Sequence, residues 1–463
     1  MTWVIASVFG ACNDDNDTTY DTTGYTDALV SGFKLPDNDN YAENLSDVYF
    51  TINQYGKVLT DNALTGDKLV GEIFNADSLP VGTITKSLLA KITFSSASKV
   101  VLYTATDTTD YSETDSINFS KPVLMEVTAA NGINKKYYEI KVNVHTQTPD
   151  SLQWSSYVEE PLADAGEIVA QKAVRMNATL YWLVSNRAGE RYIYTSAAEG
   201  DLKQWNKMTC TGLTDADIRS LCAFRGNLYV VTTAGQLLKS SEGASWTAVS
   251  TSVTLANLIS AYGFDEENSQ LIGIIQNGGK YYFGYSLNAA DWTTGDELSA
   301  TFPITGFSNP IEYTSGNASA PFRMLTLIGG KCADGTLTGH AWSYDGVNPW
   351  FEYQSSLPAL QGATVVAYES DPRTSDTFWM MLGGQLRDES YLTQLYISYN
   401  KGISWKKAPT SYAYPQDYKA FAYSSVYVNS NYFINLLGGK NDTGVLNQIW
   451  RGRLNQLAFT PVE

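Results

Sequence analysis

Few residues in this chain are of the kinds that make or break bonds, and their spacing does not gather them. The two histidines, His145 and His340, stand far apart, and the four cysteines at positions 12, 210, 222 and 332 include no Cys-x-x-Cys pair. Tetrahedral metal sites draw on such clusters, so neither a metal nor a cofactor is expected. No two carboxylates stand out as an acid and base pair, and no catalytic residue is assigned. The chain does offer cations in short polar segments: Arg187 and Arg191 in one, then Lys280, Lys331, Arg387 and Lys440 singly, with Tyr412 and Tyr414 as aromatic companions. On a chain of formal charge −17 such a group would suit an anionic or sugar ligand, held by charge and hydrogen bonds. The competing reading is plain solvation, since exposed loops carry Lys and Arg anyway.

For these side chains to meet, a repeating scaffold must bring their loops to one place. Three glycine pairs follow apolar runs, Gly329-Gly330, Gly383-Gly384 and Gly438-Gly439, spaced 54 and then 55 residues apart. An aromatic residue follows the first two pairs, Trp342 and Tyr396, and a tryptophan lies just beyond each, Trp350 and Trp405. A period of this size, with strand-like residues between the marks, predicts a radial array of four-stranded units. Tyr 31, Phe 17 and Trp 11, and no sustained 3.6-residue apolar period, predict strands with very little helix.

Inner strands are expected at Ala170–Val174, Ser220–Phe224, Leu258–Ala261, Phe322–Leu327, Thr364–Ala367 and Ala420–Tyr423, which gives six units. The segment Ser398-Tyr399-Asn400-Lys401-Gly402-Ile403-Ser404-Trp405 fits the Asp-box pattern, Ser-x-Asp/Asn-x-Gly-x-x-Trp; Ser343 to Trp350, Ser241 to Trp246 and Ser286 to Trp292 are looser copies. Its chemistry is structural: a short polar side chain bonds turn N–H groups, glycine takes the left-handed conformation, and indole packs between units. If these turns close one end of the array, the cation-bearing turns lie at the other. They would then ring its central opening.

Ahead of this array, residues 25–146 hold short alternating runs. Pro122–Gly132 followed by Lys136–Val144 predicts a hairpin about Asn131-Gly132, with both turn residues at positive φ. Tyr138, Ile140, Val142 and Val144 should share the core face. Residues 147–150 read as a linker, leaving 151–463 for the array. Residues 1–24 divide into an apolar start, Phe9-Gly10-Ala11-Cys12, and an acidic tether, as in a bacterial lipoprotein whose Cys12 is acylated. The expected address is the outer membrane, at the cell surface or periplasmic face, with the membrane reached through the lipid. Charge −17 and 31 dispersed Lys and Arg exclude nucleic acid as a partner.

The stretch Phe74-Asn75-Ala76-Asp77-Ser78-Leu79-Pro80, the hairpin and the repeats behind them resemble an uncharacterised family of two-domain surface lipoproteins from Gram-negative gut anaerobes. The resemblance implies an all-β chain: an N-terminal immunoglobulin-like β-sandwich, then a six-bladed kelch/Asp-box-like β-propeller. It implies no activity. Sialidases share the Asp-box, but Phe224-Arg225-Gly226 and Pro321-Phe322-Arg323-Met324 lack the Arg-Ile-Pro context, and two histidines do not suit a kelch-type copper oxidase. The sequence therefore favours non-catalytic binding of a glycan or protein ligand. A glycan-active hydrolase or lyase and a structural envelope component are the alternatives.

Overall fold

The computed structural model describes residues 24–36, 45–59, 62–66, 68–146, 151–265, 267–317, 320–369, 377–419 and 421–455. Cys12 and its neighbours lie outside the described residues. The chain is all-β, its described residues holding only three-residue 3-10 turns beside their strands, and it divides into two units at Pro149/Asp150.

The N-terminal unit holds a six-stranded sheet in the order Phe50–Val58, Leu69–Asn75, Lys135–Lys141, Val123–Thr128, Lys99–Tyr103, Thr108–Asp110, and a separate pair, Val30–Lys34 with Lys91–Phe94. Leu69–Asn75 runs parallel to Lys135–Lys141, and the remaining pairs are antiparallel. Every residue of the central strand Val123–Thr128 is buried. Val123, Met125 and Val127 join the main core with Phe33, Phe50 and Tyr138, while Leu124 faces the other way against Val70 and Tyr137. The buried Asn75 and the partly buried Asn143 bond reciprocally: Asn143 N donates to Asn75 Oδ1 at 2.7 Å and Asn75 Nδ2 to Asn143 O at 2.9 Å.

The hairpin forms where the alternation places it, but its turn differs. Gly132 alone takes positive φ, 70°, while Asn131 works through its side chain, Oδ1 accepting from Ile133 N at 3.0 Å and Asn134 N at 3.1 Å. The loop is longer than two residues because Ala129 N reaches Asn134 O. An Asn-Gly pair does not require a two-residue turn when the asparagine amide can satisfy the backbone itself.

The second unit is a β-propeller domain. Its described residues form six successive antiparallel sheets of four or five strands; in the first three each strand pairs with the next in sequence, and in the others short strands or a distant strand intervene. Their inner strands are Ile168–Met176, Cys222–Phe224, Thr254–Tyr262, Ile311–Asn317, Thr364–Glu369 and Ser425–Val428. The fourth of these corrects the expected Phe322–Leu327, which lies in the second strand of its sheet, Ala320–Cys332, and the last corrects the expected Ala420–Tyr423, of which Ala420 lies outside the described residues. Ala422 instead makes an isolated bridge to Lys440, and the chain stays irregular up to Ser424.

The ring closes with a strand from its own start. Ser151–Glu159 pairs along Gln448–Asn455 as the outer strand of the sixth sheet. Inner strands contact those of adjoining sheets, the third meeting the fourth sheet through Pro303–Thr305 and the sixth touching the first. Between each adjoining pair of sheets sits one apolar cluster: Leu183 with Leu228 and Trp246, Phe224 with Leu271 and Trp292, Phe283 with Leu325 and Trp342, Ile328 with Val365 and Trp405, Met380 with Ile434 and Trp450, and Leu437 with Leu180 and Trp182. A buried indole removes on the order of 200 Å² from water, about 5 kcal/mol before ordering costs, so these contacts dominate the ring's cohesion.

The glycine pairs fit this geometry. Gly329, Gly383 and Gly438 have φ of 60°, 67° and 65°. A Cβ on each would fall 2.8 Å from Leu360 O, 2.0 Å from Phe421 O and 2.3 Å from Gln171 Nε2 respectively, so each pair marks the close approach of the next sheet. At the third position Gln171 seals the circuit. Its amide donates to Leu446 O at 2.8 Å and Gly439 O at 3.3 Å and accepts from Trp182 Nε1 at 3.1 Å.

At the opposite ends of the sheets the turns are pinned as their pattern requires. Ser398 Oγ accepts from Gly402 N at 2.9 Å, Asn400 Oδ1 accepts from Ser404 N, and Trp405 Nε1 donates to Gly402 O at 3.0 Å. In the second sheet the serine in this role is Ser240, not Ser241: its Oγ accepts from Gly243 N at 2.8 Å.

Candidate functional site

Antiparallel connection places the turns between second and third strands at one end of every sheet, beside the segments that lead from each sheet to the next. Arg187, Arg191, Lys280, Lys331, Arg387 and Lys440 all fall in or next to such turns. Two are neutralised locally. Arg187 Nη2 lies 2.6 Å from Glu167 Oε1, and Lys280 Nζ 2.7 Å from Glu297 Oε2, a bond that holds the Lys280 pKa above its usual value. Arg191 is partly buried and donates only weakly, to Gly189 O at 3.5 Å. Lys331 and Arg387 are exposed and Lys440 is partly so, none of the three with an ion pair among the described residues. Lys440 uses its backbone to bridge Ala422, its N donating at 2.7 Å and its O accepting at 3.1 Å.

Tyr412 and Tyr414 are not an exposed aromatic edge. Both pack against the apolar cluster between the fifth and sixth sheets. Tyr414 stacks on Tyr418 with centroids 5.0 Å apart and planes at 4°, and burial raises its hydroxyl pKa well above normal. The outer strand of the fifth sheet is only Lys406–Lys407, so the segment after it supplies the apolar cover that a longer strand would have given.

Closer to the axis, segments from several sheets meet around a residue that sequence reasoning missed. Arg219 lies in the 3-10 turn Ile218–Ser220 that leads into the second sheet. Asp217 Oδ1 accepts its N–H at 3.0 Å, Ser220 Oγ donates to Asp217 O at 2.7 Å and accepts from Val231 N at 2.8 Å, and Ile218 and Leu221 are buried beneath. The turn is thus held from both sides. From the first sheet, Lys172 Nζ donates to Arg219 O at 2.9 Å. Burial pulls the Lys172 pKa below its ordinary value, against the opposing pull of Cys222 and Asp217.

The guanidinium of Arg219 lies over the ring of Tyr423, 4.3 Å from its centroid. Tyr423 comes from the segment between the fifth and sixth sheets and holds φ of 58°, a conformation that costs a non-glycine residue about 1–3 kcal/mol and persists only where surroundings enforce it. They do: Tyr423 N donates to Gly362 O at 2.7 Å, and Gly362 N to Gly306 O at 2.7 Å, chaining three connecting segments together. The ring also rests on Gly362, where any Cβ would approach it to 2.7 Å. Burial raises the Tyr423 hydroxyl pKa, with Arg219 opposing and Tyr391 and Asp217 adding to the rise. One face of this tyrosine is therefore closed by backbone and the other by Arg219. Arg219 itself is exposed, and its guanidinium has no hydrogen-bonded acceptor among the described residues.

Asp217 and Ile218 also line an open groove of about 510 Å³ at this end of the first three sheets. Its polar lining is Ser185, Asp217, Thr232, Thr233, Thr254, Gln276, Tyr281 and Thr305. None of the six cations named from the sequence lines it. Asp217 is its one carboxylate, and no histidine borders it among the described residues. The groove can hold a ligand by hydroxyl, amide and carboxylate groups, while the Arg219 guanidinium stands on the same turn as Asp217 and Ile218 and is not part of its lining. It does not present the carboxylate pair that glycoside hydrolysis ordinarily uses.

Residues 148–462 match the DUF6242 beta propeller domain and residues 15–142 match the N-terminal domain of the same family, a domain of unknown function. No curated protein matches the chain. Among solved structures, a fungal fucose-recognising lectin from Aleuria aurantia is similar at 13% identity and TM-score 0.37, over 64% of this chain and 93% of that one. A streptogramin B lyase is similar at 8% identity and TM-score 0.35, covering 66% and 98%, and YCF48 bound to D1 peptide at 11% and 0.33, covering 75% and 89%.

Proposed function

The chain belongs to the DUF6242 family, and from that premise we propose that it is a non-catalytic binding protein of the cell envelope, taking a glycan or protein ligand at the Arg219 end of a six-bladed propeller. The six sheets are read as its blades, and the N-terminal unit as an immunoglobulin-like sandwich that carries the propeller away from the membrane. The observation that carries the binding reading is the Arg219–Tyr423 stack, whose guanidinium is held by the stack yet exposed, on a turn whose Asp217 and Ile218 line a polar groove. Preorganised donors of this kind favour binding because little side-chain freedom is lost when a ligand arrives. The lone carboxylate in the groove is why binding, not hydrolysis, is proposed.

The test is a glycan array probed with the full chain and with two variants. Arg219→Ala should lose signal, whereas the triple variant Arg187→Ala, Arg387→Ala, Lys440→Ala measures whether the outer cations contribute. Signal unchanged in the triple variant removes the cationic rim from the site. Release of a product from any arrayed glycan would replace the binding reading with an enzymatic one.

The envelope address rests on Cys12 and the acidic tether after it. Attachment through Cys12 predicts incorporation of an alkyne-tagged fatty acid in cells, recovery in the outer-membrane fraction, and loss of both in Cys12→Ala. Recovery of Cys12→Ala in the same fraction would refute it.

A further inference from the structure

Arg219 differs from Arg175, Arg225 and Arg323 of this propeller. Arg225 donates to the carbonyls of Glu267 and Ser269, Arg323 to Glu312 and Thr314, and Arg175 pairs with Glu199 at 3.0 Å. Their hydrogen-bonding capacity is engaged in holding loops. Arg219 is held by its backbone and by its stack on Tyr423, which leaves the planar donor fork of its side chain for something outside the chain.

Building on the binding function proposed above, we infer that the ligand is an acidic sugar whose carboxylate is taken by Arg219. A guanidinium matches a carboxylate with two parallel bonds, and stacking on an aromatic ring fixes the plane in which that fork lies. Lys172 adds a second positive charge beneath, its ammonium anchored 2.9 Å from the Arg219 carbonyl. With Asp217 counted, the cluster keeps a net positive charge on a chain whose total is −17, so an anion is drawn to this place and repelled from most others.

The remainder of the ligand follows from the groove. Its Thr232, Thr233, Gln276 and Asp217 offer hydroxyl, amide and carboxylate partners suited to sugar hydroxyls. Its volume, about 510 Å³, accommodates one or two hexose rings. A peptide carboxylate would satisfy Arg219 equally well, but the groove interleaves threonine hydroxyls, the Gln276 amide and the Asp217 carboxylate with Ala170, Ile218, Val231 and Leu255, the mixture that the hydroxyl edge and apolar face of a sugar ring both use. An oligosaccharide of hexuronic acid is therefore the favoured ligand class.

The experiment is isothermal titration of the full chain with a hexuronate trisaccharide, with the same trisaccharide after its carboxylates are reduced to alcohols, and with an acidic tripeptide. The uronate should bind, the reduced sugar should bind at least about tenfold more weakly, and raised salt should weaken only the former. Arg219→Ala should bring the uronate down to the level of the reduced sugar, and Arg219→Lys should fall between, since lysine keeps the charge but not the fork. Tryptophan emission and Tm unchanged in both variants establish that the fold is intact. Equal binding of the two sugars, or wild-type binding by Arg219→Ala, overturns the acidic-sugar inference and leaves the binding function standing. Binding of the tripeptide with neither sugar overturns the inference and moves the ligand to protein. No binding by any of the three overturns the inference, and the array then decides the function independently.

Discussion

Replacing Gly383 with alanine should destabilise the propeller through a contact that no side chain can relieve. Gly383 has φ of 67°, and a Cβ there would lie 2.0 Å from the carbonyl oxygen of Phe421. That oxygen accepts from Gly384 N at 2.6 Å and cannot swing aside without breaking the bond. The left-handed backbone alone costs alanine about 1–2 kcal/mol. Displacing a packed backbone segment adds about 1–3 kcal/mol, for a total of about 2–5 kcal/mol. Gly189→Ala is the matched control: φ is 82°, but nothing lies within 4 Å of the place its methyl group would take, so only the conformational cost applies. Every tryptophan except Trp3 belongs to this unit, so thermal unfolding followed by indole emission reports on the propeller. At about 2 °C per kcal/mol for a domain of this size, Gly189→Ala should lower Tm by about 2–4 °C and Gly383→Ala by about 4–10 °C. Equal shifts in the two variants would refute the claim that the glycine pairs exist for the approach of the next sheet.

Three further outcomes follow from bonds in the two units. Gln171→Leu keeps the volume but strands Trp182 Nε1 and two carbonyls, so it should cost about 2–4 kcal/mol and speed amide exchange first in Ser151–Glu159, the closing strand; unchanged exchange there would remove Gln171 from the closure. Ser240→Ala should cost about 1–2 kcal/mol by leaving Gly243 N without its acceptor, whereas Ser241→Ala should stay within about 0.5 kcal/mol; a reversed order in urea unfolding would show the turn to be wrongly assigned. In the N-terminal unit, burial alone would raise the Glu126 pKa, but hydrogen bonds from Lys135 at 2.6 Å and Tyr137 at 2.9 Å outweigh it and the net shift is downward. A depressed carboxylate stabilises the fold above its unfolded pKa and loses that contribution as pH falls through the folded value. Amide protection of Val123–Thr128 should therefore decline with acidification below about pH 4.5, and Glu126→Gln should flatten that dependence.

The propeller was legible because its marks are local consequences of one repeated contact. In the fourth, fifth and sixth sheets a glycine pair recurs where the second strand ends against the next sheet, and a tryptophan recurs where an outer turn is pinned, so period and residue type carry the architecture without reference to distant sequence. Two kinds of feature escaped this reading. The strand Ser151–Glu159 completes a sheet made almost 300 residues later, and nothing in its own alternation says which edge it will cover. The segment Ala420–Tyr423 has the apolar run of an inner strand, yet Gly362 and Lys440 take up the backbone groups of Phe421–Tyr423 and hold those residues irregular.

The same distinction explains why reasoning from turns selected the outer cations and passed over Arg219. Turn position can be inferred from strand alternation, so Arg187, Lys280 and Lys440 could be assigned to one end of the array, but charge at a turn tip says nothing of what neutralises it. Glu167 and Glu297 lie far enough along the chain that their pairing with Arg187 and Lys280 depends on how each segment folds back. Arg219 and Tyr423 are separated by 204 residues and become neighbours only because the ring closes. A signal did exist: Asp217 precedes Arg219 by two residues and Ser220 follows it, the composition of a side-chain-pinned turn rather than a free loop. An arginine at the centre of a turn that is fixed by its neighbours' side chains carries a rigid donor, and rigidity, more than charge, separates a binding group from a solvated one.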